Sequence, residues 1–372
     1  MTATRPPSSA LTSFVVASRY LPVYVALLLL VLVAWLWAPA TLTSAAMGAI
    51  APYGTFLAIA ALGQMLVIMT GGIDLSVPGT FSLAGIIVVG VGQVSDDRLG
   101  IAILTALGAA ALIGLVNGIL IGGLNLNALI VTLAVGQIVT GVLNRYYTTI
   151  AVQSSVPPAL SAWTSTRFLG MSNIFWLGVG LTIVTMVVFR YTSIGRRFQV
   201  VGANPAAATV SGLRVNLYQV GAYVVAAVLY AIAGILLAAF LRSPGVNYGV
   251  PYLLGPIAAV VIGGASLTGG LASPLSTWAA AFFLAALNQM MRVMGLPTAL
   301  QFVVFGLVII GGMLVSGDRI IKAVERVIRT RGTPRRDDLE GMTVGVHGPD
   351  PPDDEHPGPR GAGGAGGGGS ER

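Results

Sequence analysis

Groups that could exchange protons or bind metals are scarce in this chain. The 372-residue sequence contains no cysteine, and its two histidines, His347 and His356, both lie in a polar C-terminal stretch. Disulfides, thiolate metal sites and imidazole bases are thereby removed from everything upstream. Between Tyr20 and Ser316 the only acids are Asp74, Asp96 and Asp97, and only Asp74 sits in an apolar stretch. An acid so placed is costly in lipid and is a functional suspect for that reason. Around it an apolar run enters the pair Gly71-Gly72, passes Asp74 and Ser76, and restarts at Val77-Pro78-Gly79. The glycines permit backbone angles and close approaches that a side chain forbids. Asp74 or Ser76 can cap the restarting helix by accepting its free N–H groups. Two uses of Asp74 stand open: capping or structural anchoring, and direct contact with a transported molecule.

A second segment, residues 194–213, contains Gly202, Asn204, Pro205, Ala206, Ala207, Ala208, Ser211 and Gly212. Asn204 suits an N-cap, and Pro205 suits the first helical position, where its missing N–H is not needed. The alanines favour helix and Gly212 suits a C-terminal stop. The pattern predicts a helix of about two turns outside the bilayer, too short to be stable without something to rest on. That support is either a partner protein or the lipid surface. Ala207 and Ala208 are small enough to enter a groove. A third segment, 257–270, holds Gly263, Gly264, Ser266, Gly269 and Gly270. Small residues at this density suit close helix packing in lipid or a broken helix beside a translocation path. Asn117, Asn125, Asn127, Gln137 and Asn144 add polar groups that suit interhelical hydrogen bonds as readily as a hydrophilic pathway.

The elements that must position these residues follow from composition. Hydrophobic residues make up 55% of the chain and charged residues 9%, against roughly 25% charged in a soluble domain. A bilayer core of about 30 Å takes roughly 20 helical residues, all bonded within the segment. That ruler predicts an all-α integral membrane protein of about ten spans, near 21–38, 52–70, 77–94, 100–123, 127–144, 174–190, 217–240, 253–266, 273–291 and 298–316. The spans 77–94 and 253–266 are glycine-interrupted or short, which suits re-entrant segments. The first span is too long for a secretory leader, and no small-residue cleavage site clearly follows it.

Basic residues set the expected orientation. Arg5 and Arg19 precede the first span, Arg190, Arg196, Arg197 and Arg214 flank the loop 191–216, and Arg319, Lys322, Arg326 and Arg329 follow the last. An even count of spans puts all three groups, and both termini, in the cytoplasm. The loop 145–173, with Gln153 and Trp163, then lies outside, as do Arg145, Arg167, Arg242 and Arg292. The net charge of +7 forms no single stripe, so nucleic acid is not an expected partner. The chain divides into a cytoplasmic segment 1–19, a transmembrane domain 20–318 and a cytoplasmic segment 319–372. Within the last, residues 331–372 have the Pro/Gly/Asp composition of disorder. One weak internal echo links Gly71-Gly72-Ile-Asp-Leu-Ser to Gly263-Gly264-Ala-Ser-Leu-Thr.

Taken together and in order, the three segments resemble the ribose/xylose/galactoside-type permeases of bacterial ABC importers over residues 20–316. The resemblance implies a type II importer-like permease fold in the bacterial plasma membrane. It also implies that the Asn204-Pro205 helix is the coupling helix seated in a separate cytoplasmic ABC ATPase. Further partners implied are a second permease copy or paralogue, an extracytoplasmic sugar-binding protein and membrane lipid. Two departures are visible. Many members carry Glu and Asp where this chain has Leu253 and Gly255, and a basic residue and Gly where it has Leu271-Ala272-Ser273. The implied cargo is a sugar, a ribose-like pentose or hexose; the departures weaken the inference to ribose itself, and nucleosides or branched-chain amino acids stand as alternative cargo. Energy must come from elsewhere. A phosphate-binding loop needs Gly-x-x-x-x-Gly-Lys-[Ser/Thr], and the only lysine, Lys322, follows Ile320-Ile321. No cofactor is expected in this chain, ATP and Mg belonging to the ATPase. An ion-coupled secondary transporter stands as a lesser alternative, since a single Asp74 with no membrane-embedded His, Glu or Lys makes a poor proton relay, and a membrane enzyme lacks paired carboxylates or a metal site.

Overall fold

The computed structural model describes residues 9–148 and 155–315, with side chains from residue 19 to 148 and from 155 to 312. Arg5, Gln153, the basic group after the last span and the segment 319–372 lie outside the described residues. All described residues belong to one compact unit.

Thirteen α-helices are described: α1 (Ser9–Trp37), α2 (Ser44–Met69), α3 (Val77–Gly92), α4 (Leu99–Gly118), α5 (Ala128–Tyr146), α6 (Pro158–Ser165), α7 (Asn173–Tyr191), α8 (Ser193–Ala203), α9 (Pro205–Val210), α10 (Val215–Leu241), α11 (Gly255–Ile262), α12 (Pro274–Val293) and α13 (Thr298–Val315). Ten of them match the ten expected spans one to one. The chain is therefore an all-helical membrane protein, the one hairpin among the described residues pairing Arg167–Phe168 with Met171–Ser172.

Six of the ten are long and apolar enough to cross a membrane. Among the rest, α11 has eight residues, about 12 Å at 1.5 Å per residue, and α3 has 16, about 24 Å. These are the two segments expected to be short or re-entrant. Helix α12 is long enough at 20 residues, but Asn288, Gln289 and Arg292 in its last two turns make it less apolar. Three elements escaped the sequence reading: α6, the hairpin and α8. Helix α8 carries Arg196 and Arg197, and its polar face resembles a loop; Thr192 caps it by accepting the Gly195 N–H at 3.3 Å.

Helices α2 and α10 form the centre. In their apolar stretches 72% and 67% of residues are buried, against 17–28% in α1, α4, α5 and α7. A helix apolar all round belongs in the interior, and α2 is of that kind. Glycines let neighbours approach α10 at backbone distance. A Cβ on Gly118 of α4 would lie 2.7 Å from the Val220 Cα, and one on Gly234 of α10 would strike the Phe81 carbonyl of α3.

The bundle has two distinct ends. At one, the end of α8 meets the end of α2 and the turn before α12, and α9 lies against α10. At the other, the Ala159 N–H donates to Asp96 Oδ1 at 2.8 Å and the Val156 N–H donates to the Arg242 carbonyl at 3.1 Å. Residues 159 and 203 thus lie at opposite ends. Arginines alone do not distinguish the ends among the described residues. Arg19, Arg190, Arg196, Arg197 and Arg214 lie at the α9 end, and Arg98, Arg145, Arg167, Arg242 and Arg292 at the other.

Candidate functional site

The three glycine-rich segments, far apart in sequence, meet at the α9 end. Helix α2 ends at Met69 with Thr70 as its C-cap, and Gly71 turns the chain with φ +83°. The Met69 carbonyl, left without a helical partner, accepts the Gly270 N–H at 2.9 Å. Gly202, near the end of α8, lies against the same place: a Cβ there would collide with the Met69 oxygen and stand 2.7 Å from the Gly270 nitrogen. Gly269 and Gly270 have φ of +99° and +84°, and a Cβ on either would press on the Gly202 carbonyl or on Ala203. Only backbone fits between the three chains.

From this junction α8 hands on to α9. Asn204 caps α9, accepting the Ala207 N–H at 3.0 Å through Oδ1, and Pro205 occupies the first turn. Ser211 takes the C-cap position, and Gly212 ends the helix with φ +80°. Ala206, Ala207 and Val210 face outward, Val210 with 91% of its surface exposed. Ala208 points inward and is fully buried. The reading of Ala208 as a residue small enough to enter a partner's groove is corrected by this orientation. On a helix it is one residue past Ala207 and turned through about 100°.

Asp74 is fully buried just beyond the junction. Its Oδ1 accepts the Ser76 N–H at 2.8 Å and the Ser76 hydroxyl at 2.6 Å, and Asn117 Nδ2 donates to Ser76 Oγ at 3.0 Å. Ser76 occupies the N-cap position of α3 without capping it through its side chain, so the helix start is organised by Asp74 one step back. The backbone of Asp74 is held by Gln64 of α2. Turned so that its NH2 donates to the Asp74 carbonyl at 3.1 Å and to Tyr230 Oη at 2.9 Å, the amide also accepts the Asp74 N–H at 3.1 Å. The opposite orientation keeps only the Tyr230 bond. On the far side, Thr132 of α5 accepts the Leu75 N–H at 2.9 Å. Asp74 is thereby clamped between α2, α4 and α5. Three atoms near it, Asp74 Oδ2, Asn117 Oδ1 and Tyr223 Oη, are buried without a partner among the described residues.

The third segment breaks at the end of α11. Gly264 has φ +84°, and its carbonyl accepts Arg19 Nε at 2.6 Å, tying the start of α1 to this end. A Cβ on Gly263 would stand 3.0 Å from the Ser276 carbonyl of α12. Ser266 Oγ is 2.8 Å from Thr268 Oγ1, and the Ser266 N–H donates to the Leu271 carbonyl at 2.9 Å. Every glycine of this segment is pressed against other chain.

The polar residues of α4 and α5 sort into different tasks. Asn117 joins the Asp74 cluster, Asn127 caps α5 by accepting the Leu129 and Ile130 N–H groups at 3.0 and 3.3 Å, and Asn144 donates to the Thr140 carbonyl at 3.0 Å. Gln137 is exposed on the outer surface of α5.

Two cavities lie at the two ends of α2 and α10. One of about 240 Å³ opens at the α9 end beside Thr70, Gly71, Gly72, Asn125, Gln219 and Tyr223. The other, of about 540 Å³, lies at the opposite end between α2, α10, α12 and α13, lined by Tyr53, Tyr252, Asn288, Gln289, Arg292 and Phe305 among others. Between them α2 and α10 touch, with Gly63 against the Tyr230 ring and the Ala226 carbonyl. The sequence reading missed the larger cavity. Its signal was available in the spacing of Asn288, Gln289 and Arg292, three polar residues on one face of an otherwise apolar helix.

Comparison with known proteins gives this architecture a family. Residues 46–313 match the family described as branched-chain amino acid transport system / permease component. The chain is 32% identical to the ribose import permease protein RbsC of Escherichia coli strain K12 over 265 residues, 70% of this chain and 82% of that protein. It is 32% identical to the galactofuranose transporter permease protein YtfT of the same strain over 272 residues, 73% and 79% of the two chains. It is 31% identical to the autoinducer 2 import system permease protein LsrC of Enterobacter sp. strain 638 over 309 residues, 83% and 89%. No solved structure matches. With its motifs interlocked at one end and its span of apolar helices, the chain belongs to the permease family of the bacterial ABC importers.

Proposed function

We propose that this chain is the membrane-spanning subunit of an ATP-driven importer, and that it carries a sugar inward by alternating access. A separate cytoplasmic ATPase, holding ATP and Mg, seats α9 in a groove. A second permease copy or paralogue completes the membrane unit, and an extracytoplasmic binding protein delivers the sugar. The α9 end and both termini face the cytoplasm of a bacterium, and the plasma membrane is the site of action. Residues 1–19, 20–318 and 319–372 keep the roles given them by composition.

The observation that supports this most is mechanical. Helix α9 presents Ala206, Ala207 and Val210 outward, and two residues before its cap Gly202 is in backbone contact with the ends of α2 and the segment before α12. A displacement of α9 reaches the central helix of the bundle with no flexible side chain in between. The cavities at either end of α2 and α10 give that displacement something to open and close. The names of two of the three relatives favour ribose-like or galactofuranose-like sugars, the third being an autoinducer 2 import permease, while the family description keeps branched-chain amino acids as the second reading.

The test is Ala207→Arg. The substitution leaves the interior untouched, so the chain should insert at wild-type amounts while sugar uptake falls at least tenfold and ATPase copurification drops. Ala208→Arg should instead lower the amount of folded chain. Unchanged uptake and ATPase binding in Ala207→Arg would remove α9 from the mechanism.

A further inference from the structure

The cavity opposite α9 has a chemistry of its own. On α12, Arg292 donates to Gln289 Oε1 through Nη2 at 2.7 Å and Nε at 3.2 Å, which fixes the Gln289 amide and leaves its NH2 as a donor. Asn288 donates to the Leu284 carbonyl at 3.2 Å, which leaves its Oδ1 as an acceptor. Opposite them stand aromatic rings that are themselves braced. Tyr252 stacks on Phe81 at 4.5 Å, and Tyr53 meets Phe240 edge-on at 5.7 Å. Phe305 of α13 closes the wall. No acid lines the cavity, and the one buried carboxylate of the described chain, Asp74, belongs to the α9 end.

We propose that this cavity is the entry site for cargo, and that it takes a neutral ring bearing several hydroxyls. Gln289 Nε2 and Asn288 Oδ1 offer a donor and an acceptor on adjacent residues, the pair that two neighbouring hydroxyls require. Tyr53, Tyr252 and Phe305 offer flat apolar faces to the C–H side of such a ring. A zwitterionic amino acid fits less well, because its ammonium would be desolvated with no carboxylate to pair it. A volume of about 540 Å³ lies in the range of small-molecule sites and holds one sugar with water. The inference rests on the importer reading and adds to it the place where cargo enters and the residues that would hold it.

The absence of cysteine makes the site directly testable in the assembled transporter in cells. A single cysteine at Asn288 should react from outside with a charged, membrane-impermeant methanethiosulfonate reagent, and one at Leu112, exposed on the outer surface of α4, should not. Asn288→Leu and Gln289→Leu should each cut uptake of the imported sugar at least tenfold, with membrane amounts and ATPase copurification unchanged. The uptake panel is D-ribose, D-galactose and L-leucine. Failure of Asn288→Cys to label from outside overturns the proposal, as does unchanged uptake in both leucine variants while the wild type imports a sugar. Import of leucine and no sugar overturns the cargo class. A wild type that imports nothing from the panel, yet labels at residue 288, counts against the importer reading while supporting an outward-open cavity.

Discussion

At the α9 end, helix α2 finishes against backbone: Met69, Gly202 and Gly270 meet with no room for a methyl group. At the other end the first four turns of the same helix line a cavity of about 540 Å³ with Ala49, Tyr53 and Leu57. One helix thus has a locked end and an open end. The difference follows from residue type. Glycine gives up packing volume so that chains can touch, and contacts between backbones cannot be adjusted by changing a rotamer. Tyrosine and asparagine keep polar tips near open space, where a ligand or water can satisfy them. Transmission of force suits the first construction and recognition of a small molecule suits the second.

The comparison breaks most directly at Gly202. Gly202→Ala places a methyl group onto the Met69 carbonyl, and neither α2 nor the 269–270 turn can yield without losing its own hydrogen bond. Overpacking typically costs 1–3 kcal/mol, and with backbone as the obstacle about 3 kcal/mol is expected here. The purified chain should lose thermal stability by several degrees and uptake should vanish. The control is Gly221→Ala in α10, which meets nothing within 4 Å and should hold or raise the melting temperature. Equal melting temperatures for both variants would show that the junction is not tight.

Asp74 sharpens the comparison at a smaller scale. Asp74→Asn retains the Oδ1 acceptor for both Ser76 donors, whereas Asp74→Ala strands them in the interior at a cost of about 1–3 kcal/mol. Melting temperature and uptake should therefore stay near wild type for Asn and fall for Ala. If Asn proves as harmful as Ala, the negative charge itself is required, and Asp74 is more than an organiser of the α3 start.

Much of the locked end was legible in the sequence, because its signals are local. An asparagine before a proline, a glycine after three alanines and an acid two residues before a serine each act on their immediate neighbours. Even the ten apolar segments could be read from apolar runs alone, including α3 and α11, which fall short of a full crossing. What could not be read was contact between distant segments. The bond from Gly270 to Met69 joins residues some two hundred positions apart, and the inward turn of Ala208 depends on how α9 lies over the bundle. The cavity was legible only in part: Asn288, Gln289 and Arg292 mark one face of α12, but nothing local links them to Tyr53 or Tyr252. Helix α8 was missed because propensity is a weak signal for an amphipathic segment that no apolar run marks.

The smallest expected effect concerns Asn204, where the locked end meets the surface. Its Oδ1 accepts the Ala207 N–H at 3.0 Å, and α9 is only six residues long. A helix this short has few bonds of its own, so the cap is a large share of what holds it. Replacing a capping Asn by Ala costs typically about 1 kcal/mol, whereas Asp caps about as well as Asn. Asp also places negative charge at a helix N-terminus, where the macrodipole favours it. Because α9 fringes the bundle, Asn204→Ala should fray it without unfolding α2 or α10, shifting the overall melting temperature by at most about 2–4 °C. Uptake should fall partially in Asn204→Ala and stay near wild type in Asn204→Asp, since the groove would meet an intact helix in the second case only. Should Asp and Ala be equally impaired, Asn204 contacts the partner through its amide rather than serving as a cap. Should Ala have no effect, α9 is held by its neighbours alone, and the junction at Gly202 rather than the cap sets its position.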